Sequence, residues 1–264
     1  MDVRGKRVLI TGASRGIGES MAHAFADAGA TVALVARNKD VIERLAEELG
    51  GSAHYADLSD ANQVSGLIER IEADGGPIDV LVNNAGVESS ASLWDAPDAE
   101  LQRVTQVNYV TPAELCRQVI PLMLRRGGGH IVNVSSAAAV AAFPGMITYA
   151  ASKAALSHFT AGLRADLRGL PVGTTLVEIG TVQTELLGTA QKYAPSADSF
   201  QRMYRLRLSV DVPREKVAAE TIEAVRKNRR HVRLPRRLAP FTILAEMPRR
   251  TTEVLLTGVR HQAH

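Results

Sequence analysis

The 264-residue chain is 45% hydrophobic with a formal net charge of +3, proportions that suit one large α/β domain with a full core. Its single cysteine, Cys116, excludes an intrachain disulfide framework and fits a reducing cytoplasm; in AELCRQVIPLML it reads as the buried face of a helix. With no apolar leader, no run of about 18 apolar residues and seven scattered histidines, neither secretion, a membrane span nor a metal site is expected.

Short β-rich runs alternate with helical patterns along the first 235 residues. Strands are predicted at 7–11 (RVLIT), 31–36 (TVALVA), 52–56 (SAHYA), 78–82 (IDVLV), 130–135 (HIVNVS), 173–178 (GTTLVE) and 231–234 (HVRL). Several are unbroken Val, Ile and Leu runs, as expected where both faces of a strand are covered. Amphipathic segments such as GESMAHAFADAG and DVIERLAEELG lie between them, each closed by glycine. This βαβ alternation predicts a parallel, doubly wound sheet. The pattern loosens after residue 184 and ceases to be sheet-like after 235.

TGASRGIG, residues 11–18, joins the first strand to the first helix. Gly12, Gly16 and Gly18 do not follow the G-x-G-x-x-G spacing, but the physics is the same. Glycines permit a tight turn and close approach to a pyrophosphate, and the helix start offers N–H donors and a favourable dipole. An ordinary strand-to-helix turn would use glycine too; its position first in the chain, correctly flanked, favours the cofactor reading. Arg37 follows the second strand where an acid would hold a ribose 2′-hydroxyl, and Arg15 lies in the loop itself. Two cations there suit a 2′-phosphate and favour NADP(H) over NAD(H).

Tyr149 and Lys153, four residues apart in TYAASKAAL, fall on one helix face, and Ser136 ends the fifth strand. An ammonium beside a phenol favours the phenolate and draws its pKa down, which suits proton exchange with an alcohol or carbonyl. TGASRGIG, Asp57-Leu58, NNAG at 83–86, Asn108, Ser136 and YAASK stand in this order over roughly residues 4–234. Together they resemble the short-chain dehydrogenase/reductase family.

The resemblance implies a single Rossmann-type domain, a doubly wound parallel sheet of about seven strands with helices on both faces, and hydride exchange between a nicotinamide and an alcohol or carbonyl carbon. By position it makes Tyr149 the proton donor in reduction and acceptor in oxidation. Lys153 lowers the tyrosine pKa and binds the nicotinamide ribose, Ser136 holds the carbonyl oxygen, and Asn108 fixes a relay water. Gly12, Ser14, Arg15, Gly16, Ile17 and Gly18 belong to the phosphate loop. Asp57 and Leu58 meet the adenine side, and Asn84, Ala85 and Gly86 line the cleft. Singly, each has a plainer role: Asn83 and Asn84 satisfying a turn, Ser136 capping a helix, Asn108 kinking one.

One departure stands out. The family usually reads Pro-Gly-x-Val-x-Thr after the sixth strand, whereas this chain has Ile179-Gly180-Thr181-Val182-Gln183-Thr184. Gly180, Val182 and Thr184 remain for the nicotinamide amide. Losing the proline frees an N–H and relaxes φ, which predicts a looser following loop.

Residues 185–212, the expected substrate lid, mix Leu, Tyr, Phe and Met with few acids, which suits an apolar substrate or simply the packing face of lid helices. Residues 236–264 form a basic, apolar extension beyond the 1–235 oxidoreductase domain. Residues 201–264 hold 15 Lys and Arg against 6 Asp and Glu; the remainder holds 16 against 22. The segment 236–258 is expected to pack on the lid or a second subunit of a homodimer or homotetramer, to touch a membrane surface peripherally, or to be disordered. Without interleaved aromatics or a known fold motif, no nucleic acid is expected. The leading expectation is a cytoplasmic NADP(H)-dependent oxidoreductase for the secondary alcohol or ketone of a lipid- or steroid-like compound. A 3-oxoacyl thioester reductase is the alternative, and a non-catalytic dinucleotide sensor or scaffold comes last.

Overall fold

The computed structural model describes residues 1–182, 188, 193–207 and 209–255. Seven strands form one wholly parallel sheet: β1 (Arg7–Thr11), β2 (Thr31–Ala36), β3 (Ser52–Tyr55), β4 (Val80–Asn83), β5 (Gly129–Ser136), β6 (Val172–Ile179) and β7 (His231–Leu234). Their spatial order is β3-β2-β1-β4-β5-β6-β7. The order reverses between β1 and β4, which opens a crevice at their carboxyl ends.

All seven predicted strands are present. β4 starts at Val80 rather than Ile78, because Asp79 turns to accept Arg7 N at 2.9 Å and Lys6 Nζ at 3.1 Å. Side chains alternate between two cores. Val8, Ile10, Val32, Leu34, Val80, Val82, Val132 and Val134 pack on one face, against α1 (Gly16–Asp27), α2 (Lys39–Leu49) and α9 (Arg214–Arg226). Leu9, Ala33, Val35, Leu81 and Ile131 pack on the other. There they meet α3 (Ala61–Val64), α4 (Leu67–Gly75), α6 (Thr111–Arg125) and α7 (Ile147–Asp166). The period of two is that of a sheet buried on both sides, with each large aliphatic side chain contributing about 1.5–3 kcal/mol. Cys116 lies in the second core, where burial pushes its thiol up to about 12.

Local signals fix the helix ends. Asn38 accepts Val41 N at the start of α2, and Gly50, at φ 62°, closes it in the left-handed conformation. A short α5 (Glu100–Thr105) runs through a π-helical stretch (Gln106–Val110) into α6. Asn108 lies within that π stretch, a wide turn of a kind often found at functional sites.

After β6 comes α8 (Ala194–Arg205), whose Phe200 stacks on Phe143. Beyond β7, residues 239–255 form α10 (Ala239–Leu255), an ordered helix. Ile179 is accommodated because β6 continues through it, in register with Ser136 of β5 and Leu234 of β7; Gly180 N then donates to Leu234 O at 2.7 Å. The loop from 183 to 187, where a looser conformation was expected, lies outside the described residues, as does Thr184. Among the described residues, no helix is long and apolar enough to cross a membrane.

Candidate active site

The glycine loop at 11–18 is shaped by backbone sterics. Gly12 and Gly16 adopt φ of 66° and 61°. A Cβ on Gly12 would stand 2.8 Å from Ala85 Cα, and one on Gly18 would stand 2.2 Å from Gly12 O and 2.6 Å from Asn84 Nδ2. Only glycine lets the β1 and β4 loops close on each other this way. Asn84 ties them, donating from Nδ2 to Thr11 O at 3.0 Å and Gly12 O at 3.3 Å. Thr11 Oγ1 in turn accepts Asn84 N and Ala85 N, both at 3.1 Å. Asn84 therefore satisfies the turn and builds the cleft together. Asn83 points away into the sheet core, donating to Asn133 Oδ1 at 2.9 Å. The first turn of α1 has no side-chain cap, an arrangement that suits a pyrophosphate.

Ser14 is half-buried in the loop, while Arg15 and Arg37 are exposed at the ends of the paired strands β1 and β2. Asp57, just past β3, accepts Ser59 N at 2.9 Å and Ser59 Oγ at 2.7 Å. These bonds, with the charges of Arg37 and Arg103, hold its carboxyl below the usual range. Leu58 buries its side chain in the second core and accepts Thr111 Oγ1 at its carbonyl at 2.8 Å.

The residues expected to handle the proton converge between β5 and α7. Ser135 Oγ donates to Lys153 O at 3.0 Å and shares a hydrogen bond with Ser157 Oγ at 2.8 Å, which clamps α7 onto β5. Ser136 and Tyr149 line one cavity of about 370 Å³. Ser136 Oγ also accepts Ala138 N at 3.1 Å, so its capping role and its place in the cavity coexist. Lys153 is 4% exposed and donates from Nζ to Val134 O at 2.9 Å. Burial pushes its ammonium down to about 8. A Cβ added to Gly86 would stand 3.4 Å from Lys153 Nζ and 3.5 Å from Asn108 Oδ1. The missing side chain leaves a cradle between the two polar groups that a ribose hydroxyl fits. Asn108 is fully buried, accepting Val87 N at 2.8 Å and donating to Val87 O at 2.9 Å and Ser152 Oγ at 3.0 Å. Its amide holds the loop after β4 in place.

The expected lowering of the Tyr149 pKa by Lys153 is corrected by this geometry. Burial raises the phenol, Glu88 raises it further, and only a hydrogen bond with Ser136 opposes them. Lys153 Nζ lies 6.0 Å from the Tyr149 ring centroid and is engaged with Val134 O, too remote to offset that burial.

Glu88 is the residue that motif reading missed. It is 8% exposed, lines the same cavity, and its carboxyl group makes no hydrogen bond among the described residues. Burial pushes it up to about 8. The available signal was position: an acid two residues beyond NNAG, at the carboxyl end of β4 where ligands bind. The rest of the wall is mainly apolar, with Ile17 and Ile179 beside Phe143 and Phe200, which stack 5.4 Å apart. Gly180, Thr181 and Val182 line it after β6, Met203 from α8, and Phe241 and Thr242 from α10. Helix α8 and the start of α10 thus reach the cavity. No cluster of metal-ligating side chains occurs among the described residues.

A family model for short chain dehydrogenases matches residues 6–194. A short chain dehydrogenase of Pseudocercospora fijiensis is 36% identical over 225 residues, covering 83% of this chain and 72% of that protein. The probable oxidoreductase EphD of Mycobacterium tuberculosis is 35% identical over 84% of this chain, which spans only 40% of EphD. Among solved structures, a short-chain dehydrogenase/reductase from Burkholderia phymatum in complex with NAD superposes with a TM-score of 0.79 and 26% identity, covering 100% of this chain and 99% of that one. A gluconate 5-dehydrogenase from Burkholderia cenocepacia in complex with NADP and tartrate gives 0.77 at 27% identity, covering 88% and 94%. With the glycine loop, the Ser136–Tyr149–Lys153 constellation and the parallel sheet, these matches show that the chain belongs to the short-chain dehydrogenase/reductase family.

Proposed function

We propose that this oxidoreductase uses NADP(H) and interconverts a secondary alcohol and a ketone on an apolar substrate. The observation that carries this reading is the placement of Ser136 and Tyr149 in the wall of a predominantly apolar cavity of about 370 Å³. Ile17, Gly180 and Val182 of the same wall are positions assigned to the cofactor, so the nicotinamide takes part of that volume and leaves the rest, walled by Phe143, Phe200 and Met203, for an apolar group.

Bound nicotinamide supplies or accepts the hydride. The chain's own groups manage binding and the proton. Ser136 Oγ holds the substrate oxygen, and Tyr149 gives its phenolic proton to that oxygen in reduction and takes it back in oxidation. Lys153 Nζ, still largely charged at neutral pH, holds a ribose hydroxyl in the cradle at Gly86. Asn108 keeps that cradle open through Val87.

The NADP preference rests on Arg15 and Arg37, which flank the end of β2 where no acid stands. Arg37 is near enough to Asp57 to influence its carboxyl, so the adenine end of the cleft carries both charges. The test is Arg37→Asp, assayed with NADPH and NADH against a panel of apolar ketones, with a 3-oxoacyl thioester included. The NADPH affinity should fall by about tenfold or more, the value of one charge-assisted phosphate contact. Unchanged NADPH affinity refutes the cofactor assignment, and turnover confined to the thioester refutes the assignment of an apolar alcohol or ketone.

A further inference from the structure

Helix α10 has two unlike faces. Thr242, 3% exposed, and Glu246, 6% exposed, stand four residues apart and face inward. Thr242 lines the cavity. Glu246 is held by β7: its carboxylate lies 2.7 Å from His231 Nε2 and accepts Arg233 Nη2. His231 Nδ1 and Arg233 Nε in turn meet Glu178 of β6 at 3.1 and 2.8 Å. This buried quartet fixes the rotation of the helix about its own axis.

The opposite face is apolar and open. Phe241 is 57% exposed, Ile243 41%, Leu244 65% and Met247 53%, with Pro240, Ala245 and Pro248 exposed among them. From 240 to 248 no exposed residue carries a charge or a polar side chain, the reverse of a helix facing water. Arginine pairs bracket this stretch, Arg236 and Arg237 before it, Arg249 and Arg250 after it. Arg237 Nη1 donates to Arg207 O at 2.6 Å, which joins the helix start to the end of the lid. There Leu206 is 60% exposed beside the exposed Arg205 and Arg207.

We propose that α10 is a docking helix that seats this protein on an anionic lipid surface, its apolar face in the headgroup boundary and its arginines on lipid phosphates. A neutral apolar stripe between cations is what such a surface takes up. A second copy of the chain is a poorer partner. An isologous two-fold contact on this face sets one patch carrying the exposed Arg205, Arg207, Arg236 and Arg237 against its own copy, like charge against like. Phe241 belongs both to the open face and to the cavity wall, so docking sets the cavity directly behind the lipid surface. That last step rests on the proposed apolar substrate; lipid binding itself does not.

The experiment is flotation of the whole protein with phosphatidylcholine vesicles, with and without phosphatidylglycerol, and with no substrate present. Wild type should float only with the anionic vesicles and release as salt is raised. The double variant Leu244→Ser/Met247→Ser leaves the buried quartet and the cavity wall intact. It should bind at least about tenfold more weakly, since each lost apolar anchor is worth more than a factor of ten in affinity when fully inserted. An unchanged melting temperature and cofactor affinity confirm its fold. No binding to anionic vesicles, or equal binding by the variant, overturns the proposal. So does a dimer in solution that the same two substitutions dissociate, which assigns the face to a second copy. Turnover plays no part in these readouts, so a failed oxidoreductase assignment leaves the lipid result standing.

Discussion

The two halves of the cleft are built by different means. On the cofactor side the β1 and β4 loops meet backbone to backbone, with Gly12, Gly18 and Asn84 leaving no room for another atom. On the substrate side the wall is a collection of side chains from β5, β6, α8 and α10, held by apolar contact and the buried quartet of Glu178, His231, Arg233 and Glu246. The first demands particular residue types at particular spacings. The second demands only volume and apolarity, which many sequences satisfy.

That contrast predicts unequal tolerance to substitution. Gly18→Ala pushes a methyl group into Gly12 O, and the loop has no flexible side chain with which to yield. Isothermal titration should show cofactor affinity falling by about a hundredfold, consistent with a steric cost of about 3 kcal/mol. Affinity within a few-fold of wild type would mean that the loop is not the rigid half of the cleft.

Phe200→Ala acts on the compliant half. Phe200 stacks on Phe143 and lines the cavity. Its loss should cost about 3 kcal/mol of stability and raise KM for an apolar ketone by about tenfold, with cofactor affinity unchanged. A variant that loses cofactor and substrate affinity alike would show the two halves to be coupled.

Glu88→Gln gives the smallest effect and probes the seam between the halves. Oxidation needs Tyr149 as phenolate, so the rate rises with pH through the apparent tyrosine pKa. Burial raises that pKa and the Glu88 charge raises it further; Glu88, pushed up to about 8, is ionised above that pH. Removing the charge should move the rising limb to lower pH by about half a unit to one unit. A stationary limb in the pH profile of kcat would show that Glu88 does not act on Tyr149.

The same contrast explains what was legible in the sequence. Strands covered on both faces leave unbroken apolar runs, so all seven could be read, and β4 lost two residues only because Asp79 pairs with Lys6 and Arg7. The glycine loop and the Tyr149–Lys153 spacing are local patterns with one mechanical meaning each. Glu88 carried no such pattern, because its environment is made by β5, α7 and the lid, which are distant in sequence. The quartet of Glu178, His231, Arg233 and Glu246 draws on β6, β7 and α10, and its pairing appears only when the three meet. The tyrosine pKa is not legible in the sequence for a related reason. Helical spacing shows that Lys153 is near, but the depth of burial and the competing Val134 carbonyl belong to the tertiary structure.

The account stands most directly on Tyr149→Phe, measured as single-turnover hydride transfer beside cofactor affinity in the same preparation. Loss of the proton donor from the cavity wall should slow hydride transfer by about a thousandfold, within the range for a general acid, while cofactor affinity stays within about twofold. Hydride transfer at the wild-type rate would contradict the assignment of this cavity as the place where the chemistry occurs.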